Sequence, residues 1–378
     1  MKSVVIAGYA RSPFTPSAKG ELVSVRPDDL VAQVVRALVE RTKVRPEDLE
    51  DLILGCAFPE GEQGLNMARL VVLLADLPQC VAGVTVNRFC GSSMQSVHMA
   101  AGAIQMGAGD AFICAGVENM SRVPMMGFNP LINPRLHEKL PAAYMGMGDT
   151  AEKVAAQWGI SRAEQEAFAV ASHAKAAAAV ADGRLAGELV AINAGKRSVD
   201  KDGCIRPDTT AEGLAGLKPA FDQNGTVTAG TASPLTDGAA AVLVCSEEYA
   251  KKAGLQPLAR IRSIAVAGCA PEIMGIGPVA ASQKALARAG IDAAQLDVVE
   301  LNEAFASQSL ACIRDLKLDP AKVNIDGGAI AIGHPLGATG ARITGKAAAL
   351  LSRQKGRFAL ATQCIGGGQG IATVLEAV

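Results

Sequence analysis

The chain has 378 residues, of which 49% are apolar, so it can bury one large core or two to three smaller ones; disordered and fibrous classes are excluded. Lys and Arg total 36 against 37 Asp and Glu, with the signs interspersed, so there is no basic stripe for nucleic acid and no acidic tail. A charged substrate must be met by local groups.

Nine cysteines at irregular spacings, with no CxxC pair, argue against a disulfide framework or a zinc site and for a reducing compartment; no bound metal is expected. The opening stretch MKSVVIAGYARSPF has too short an apolar run for a signal peptide, and no run approaches the length of a membrane span. The expected location is the cytoplasm.

From the start of the chain, short β-branched runs alternate with amphipathic stretches. VVIAG at 4–8 reads as a strand, DDLVAQVVRALVERT from Asp28 as a helix, LEDLILG and VAGVTV as strands, the stretch after Cys90 as a helix and DAFICAGVE as a strand. From about 120 to 234 the composition shifts toward Pro, Met, Asn and Gly. A helix at SRAEQEAFAVASHAKAAAAV interrupts this stretch, and Ser161 and Glu164 have capping-box spacing. An insertion of this length covers a binding site or makes subunit contacts.

The last 120 residues repeat the opening rhythm: ARIRSIAVAG from Ala259, ASQKALARAG from Ala281, QLDVVELN, KVNIDGG, ATGARITGKAAALLSRQ and GRFALATQC. The fold class is therefore α/β, with two similar halves. Active sites in α/β sheets lie at the carboxyl ends of strands, so one shared cleft should draw catalytic groups from both halves.

Three residues stand out for chemistry. Cys90, in VTVNRFCGSSMQSVHMAAGAI, lies between a strand-like run and a helical pattern, where unpaired N–H groups and the helix dipole favour a thiolate. A buried structural cysteine is the alternative. His334, in GGAIAIGHPLGATGARI, is one of four histidines and occupies a Gly-rich turn, where a side chain projects into a cleft; His98, His137 and His173 read as structural or exposed. Cys364, in LATQCIGGGQGIATV, ends an apolar run before glycines that permit close approach to a ligand. A dinucleotide site is excluded there because the glycines do not spell GxGxxG and a strand follows.

GARITGKA, from Gly340 to Ala347, has the GxxxxGK spacing of a phosphate loop but lacks the final Ser or Thr and reads as helix, so Lys346 is expected to be a solvated helix residue. Two thiols and an imidazole suit carbon–carbon cleavage beside a ketone. One thiol takes the acyl group; the other protonates the departing enolate and deprotonates an incoming thiol.

NRFCGSSMQ around Cys90, NEAFA from Asn302, GGAIAIGHPLGATGAR around His334 and CIGGGQG at Cys364 resemble the four signature blocks of the thiolases, and the resemblance runs end to end. CGSSMQ is most similar to the degradative 3-ketoacyl-CoA thiolases of fatty acid β-oxidation.

The resemblance implies a duplicated fold, a layered αβαβα sandwich. Residues 1–119 with 235–256 would form one half, 257–378 the other, and 120–234 an inserted loop domain over the coenzyme A site. It implies thiolytic cleavage of 3-ketoacyl-CoA by an acyltransferase with Cys90 as nucleophile, His334 as its base and Cys364 as the second acid/base. Asn302 would hold a water at the enolate oxygen, and the N–H groups of Cys90 and Gly366 would form a second oxyanion hole. Asn302 also reads as a cap for the helix EAFASQSLACIRDL.

For binding, it implies Ser233 at the pantetheine, Arg206 at the nucleotide, and Met147, Met274, Ala304 and Phe305 at the acyl end. Arg206 also reads as a solvated charge and Ser233 as a turn cap before Pro234. Coenzyme A is then a co-substrate and no cofactor is needed. A homodimer or homotetramer is implied, with a hydratase/dehydrogenase as a possible partner.

Where acetoacetyl-CoA thiolases carry a His-Met pair, this chain has Gly146-Met147, which leaves room for longer acyl groups. The alternatives are an acetyl-CoA C-acetyltransferase condensing two acetyl-CoA, a decarboxylating ketoacyl synthase, which lacks the second cysteine, and a non-catalytic acyl-CoA-binding subunit.

Overall fold

A computed structural model describes residues 2–378. Nine principal strands follow the β-branched runs: β1 (Val4–Arg11), β2 (Asp51–Gly55), β3 (Ala82–Val86), β4 (Ala111–Asn119), β5 (Thr236–Ser246), β6 (Ala259–Gly268), β7 (Val298–Leu301), β8 (Phe358–Ile365) and β9 (Gln369–Glu376). They form one mixed sheet in the order β7-β8-β9-β6-β1-β5-β4-β2-β3.

The duplication is written in the pairing directions. In the first half β2 pairs parallel with β3 and β4, β4 antiparallel with β5, and β5 antiparallel with β1. In the second half β7 pairs parallel with β8, β8 antiparallel with β9, and β9 antiparallel with β6. The counterpart of β3 is reduced to a single parallel bridge from Val299 to Val323, which is all that forms at the strand expected in KVNIDGG. Only two pairs, Val5–Arg260 and Ile6–Ala259, join the two half-sheets.

Helices α1 (Pro27–Thr42) and α2 (Met67–Leu74) cover the outer face of the first half. Helix α3 (Ser92–Gln105) lies in the middle of the molecule. Between β4 and β5 run α4 (Met147–Gln157) and α5 (Arg162–Ala181), the latter started by the Ser161–Glu164 capping box. Helices α6 (Gly277–Ala289) and α7 (Ala306–Asp315) cover the outer face of the second half, and α8 (Leu336–Gln354) joins α3 in the middle layer, giving the αβαβα sandwich.

Helix α8 is buried on every side, which explains its small residues. A Cβ at Gly340 would strike the backbone of Met94 on α3, and one at Gly337 the carbonyls of Val117 and Gly55. Glycine at these positions lets α8 pass close enough to bring its first turn, and His334 just before it, to the nucleophile's loop. The same burial corrects the expectation for Lys346. It is 3% exposed and pairs with Glu188 at 2.9 Å and Asp326 at 2.8 Å. Asp326 also takes Arg353 and Arg184. No helix among the described residues is long and apolar enough to cross a membrane.

Candidate active site

Five expected residues arrive from strand ends and the turns beside them. Cys90 occupies the turn between β3 and α3; Asn302 follows β7 directly; His334 lies two residues before α8; Cys364 and Gly366 end β8 and begin the turn to β9. The two halves thus face each other across one site.

The turn carrying Cys90 is held in an unusual shape. Phe89 adopts φ +42°, sparsely populated for a residue with a side chain, and its N–H donates to Asn87 Oδ1 at 2.8 Å. The Asn87 amide in turn donates to the Ala57 carbonyl at 2.9 Å. The Cys90 carbonyl accepts from the side-chain amide of Gln363, next to Cys364 in the opposite half.

Burial pushes the Cys90 thiol up to about 11, and hydrogen bonds from the N–H groups of Gly366 and of Cys90 itself pull against it, while the charge of Glu118 adds to the rise. In the resting site desolvation therefore outweighs the helix start, and the sulfur keeps its proton at neutral pH. Both N–H groups are directed at the Cys90 sulfur.

The tautomer of His334 follows from its partners. The Thr339 hydroxyl donates to the Pro335 carbonyl at 3.0 Å, so it accepts from His334 Nδ1–H, 2.6 Å away. Nε2 is left unprotonated, with the Asn302 Nδ2 amide 3.3 Å from it. Burial, helped by the charge of Arg342, lowers the imidazole to about 3, which makes it a neutral acceptor at physiological pH. The Asn302 side-chain oxygen is buried without a partner, an acceptor placed for a water or substrate group. It caps no helix; α7 begins after Phe305, so the capping expectation fails.

Burial raises Cys364 well above the ordinary thiol range, and the neighbouring Cys90 sulfur raises it further. Cys364 belongs to one apolar cluster with Met274, Ala304 and Phe305, against which Met147 packs. Met147 also borders Gly366 and, with Cys90, Phe58, Phe89, Met126 and Leu131, lines an apolar cleft of about 440 Å³.

Two family models match the chain, "Thiolase, N-terminal domain" over residues 4–248 and "Thiolase, C-terminal domain" over 255–377. The chain belongs to the thiolase family. As a thiolase it is an acyltransferase. It is 47% identical to the 3-ketoacyl-CoA thiolase of Bacillus subtilis (strain 168) and 50% identical to that of Idiomarina loihiensis, in each case over the whole of both chains. The crystal structure of the Bacillus anthracis acetyl-CoA acetyltransferase superposes with a TM-score of 0.93 at 40% identity, covering 100% of this chain and 99% of that one.

Around the thiolase centre the remaining expected residues divide. Ser233 adjoins the Cys364 cluster, its N–H donating to the Ala304 carbonyl at 2.9 Å. Phe221, unremarked in the sequence, meets Phe305 edge-on at 5.9 Å. Arg206 stands apart, exposed, with its backbone N–H donating to His173 Nδ1 at 3.1 Å. Its carbonyl accepts from the Thr209 hydroxyl at 2.8 Å. Sequence reasoning missed Glu118, Thr339 and Gln363, which hold the reactive groups in place. Among the described residues no group of three or more His, Cys, Asp or Glu is arranged to hold a metal ion.

Proposed function

We propose that this protein cleaves 3-ketoacyl-CoA with coenzyme A, giving acetyl-CoA and an acyl-CoA two carbons shorter, by way of an acyl group carried on Cys90. The observation that carries the reading is a protonated thiol beside a second protonated thiol, in one site with a neutral histidine whose Nε2 is free of hydrogen.

In the first half-reaction His334 Nε2 accepts the Cys90 proton as the sulfur attacks the C3 carbonyl, whose oxyanion is met by the N–H groups of Cys90 and Gly366. The C2–C3 bond breaks and its electron pair leaves as the enolate of acetyl-CoA. The enolate oxygen is stabilised by the imidazolium and a water held by Asn302, and Cys364 gives its proton to C2. In the second half the thiol of free coenzyme A yields its proton to the Cys364 thiolate and attacks the Cys90 thioester. The departing Cys90 sulfur recovers its proton from His334. Cys90 and His334 end as they began, the proton that Cys364 gives to C2 is replaced by the one from the coenzyme A thiol, and no cofactor or metal is needed.

Ser233 serves the pantetheine, Arg206 the nucleotide, and residues 120–234 act as the loop domain over coenzyme A. Met147, Met274, Ala304 and Phe305 shape the acyl end. With Gly146 in place of histidine and an apolar cleft beside Cys90, the preferred substrates are longer than acetoacetyl-CoA.

Free thiols throughout the chain suit the cytoplasm. The outer edge of β3 is unpaired and lies beside exposed Leu70, Leu73 and Leu74 of α2, which favours a homodimer or homotetramer. A hydratase/dehydrogenase would supply the substrate. A second reading, condensation of two acetyl-CoA, is favoured by the likeness to the Bacillus anthracis acetyl-CoA acetyltransferase.

Thiolysis rates across a 3-ketoacyl-CoA series decide between them. Six- to ten-carbon substrates should give the highest kcat/KM. A maximum at acetoacetyl-CoA supports the second reading instead, and a radiolabelled acyl group trapped on a peptide lacking Cys90 refutes both.

A further inference from the structure

Glu118, next to last in β4, is fully buried, yet among the described residues no cation faces it. Its Oε2 accepts from the N–H of Ala57 at 2.8 Å and of Gly337 at 2.9 Å; its Oε1 accepts from Phe58 N–H at 3.2 Å and Gln63 Nε2 at 2.8 Å, with the Cys56 thiol at 3.7 Å. Burial raises the group above the ordinary carboxylate range; every partner is a donor, and these backbone and amide hydrogens pull against that rise by favouring the carboxylate in place of water.

These partners come from two places that the chemistry must keep in register. Ala57 and Phe58 form the wall on which Cys90 packs, and the Ala57 carbonyl accepts from Asn87, whose side chain fixes Phe89 immediately before Cys90. Gly337 lies in the first turn of α8, three residues after His334, and neighbouring Leu336 packs on Ala57.

We propose that Glu118 is a positioning residue for acyl transfer, its carboxylate tying the wall behind the nucleophile to the helix that follows His334 and so fixing the two halves' reactive groups against each other. The inference rests on the reading of Cys90 as nucleophile. Removing the charge while keeping the shape separates its two influences. A glutamine turns an NH₂ toward one pair of N–H donors and loosens the tie, whereas the lost charge makes the Cys90 thiol easier to ionise. Glu118, Cys364 and, as its proton acceptor in the proposed reaction, His334 are the titratable groups acting on that thiol, and His334 stays neutral across the range of the profile; Arg88 of the same turn is occupied by Gln95 and Gln369.

The test is Glu118→Gln in the full chain, read by steady-state thiolysis, by single-turnover acylation of Cys90 and by the pH profile of iodoacetamide inactivation. The expected result is a fall in kcat and in acylation rate of about 100-fold with KM for coenzyme A within about threefold, together with an inactivation midpoint moved to lower pH. More thiolate with less turnover is the signature that a purely structural role would not give. Acylation of Cys90 at the wild-type rate, or an unmoved midpoint, overturns the proposal.

Should Glu118→Gln fail to fold, the exposed Asn87→Ala breaks the same chain of hydrogen bonds at the surface. It should lower kcat about tenfold at unchanged melting temperature, and full activity there overturns the proposal equally. Absence of acyl label on Cys90 in the wild type would instead defeat the nucleophile assignment.

Discussion

The two halves share a strand plan but divide the site unequally. The first half contributes Cys90, on a turn beside exposed Phe89 and partly open to an apolar cleft. The second contributes Asn302, His334 and Cys364, all at most 4% exposed and the first two already hydrogen-bonded to protein. The difference matches the proposed roles of these groups. A sulfur that forms and releases a thioester has to face the space the substrate fills. Proton carriers and oxyanion donors work best when their orientation is set before the substrate arrives. The support differs as well: a carboxylate with no cation braces the first-half wall, whereas the helix after His334 is anchored by Lys346 in a buried ion network.

The sharpest break in that comparison comes from replacing one cysteine from each half. Cys90→Ala should lower turnover by at least about 10⁴-fold at unchanged melting temperature, since no other group can carry the acyl chain. Cys364→Ala should lower turnover by about 10²–10³-fold yet leave the first acylation of Cys90 detectable in a rapid-quench burst, because the departing enolate can take its proton from water whereas the incoming thiol then has no base. Equal loss of the burst in both variants would remove the division of labour.

The next largest effect is on stability. Burial pushes Asp326 up, but Arg353 and Lys346 outweigh burial and hold it below the ordinary carboxylate range. Asp326→Ala leaves Lys346 and two arginines short of a partner and should cost about 3–5 kcal/mol in urea unfolding. Glu62→Ala in the first half, part of a more exposed pair with Arg122, should cost less than about 1 kcal/mol. Similar costs for the two would mean that the second half is not the more rigidly anchored.

Much of this was legible in the sequence. Strand and helix periods and the repeated rhythm point to two similar α/β halves, the thiolase resemblance adds the layered sandwich, and Gly-rich turns at strand ends mark Cys90, His334 and Cys364. What escaped notice has a common physical cause. Lys346 reads as solvated because a lysine in a helical pattern ordinarily faces water, but from Leu336 to Ala348 this middle-layer helix is buried all round. Glu118 gave no signal because its donors lie up to 219 positions away and are mostly backbone N–H groups, which are the same in any residue but proline. Of the two readings of Asn302, the cap fails because the helix begins only after Phe305, and its amide instead lies 3.3 Å from His334 Nε2. The strand expected in KVNIDGG shrank to one bridge at Val323, just before Asn324, which sits at φ +46° and turns its side chain to the backbone of Leu301.

The finest test lies inside the second half, at Thr339. Its hydroxyl is spoken for by the Pro335 carbonyl, and that single fact places the histidine hydrogen on Nδ1 and keeps Nε2 available as a base. Thr339→Val keeps the shape but leaves Nδ1–H buried without an acceptor, a loss of about 1–3 kcal/mol that the site can relieve by moving the hydrogen to Nε2. The tautomer exchange should appear in the nitrogen chemical shifts of labelled His334 and lower kcat about tenfold with little change in KM, because the base is then occupied in most molecules. Thr339→Ser retains the hydroxyl and should restore both the shift pattern and most of the rate. If the valine variant turns over like the wild type while its Nε2 carries the hydrogen, proton removal from Cys90 does not pass through His334, and the preset geometry of the second half serves some other step.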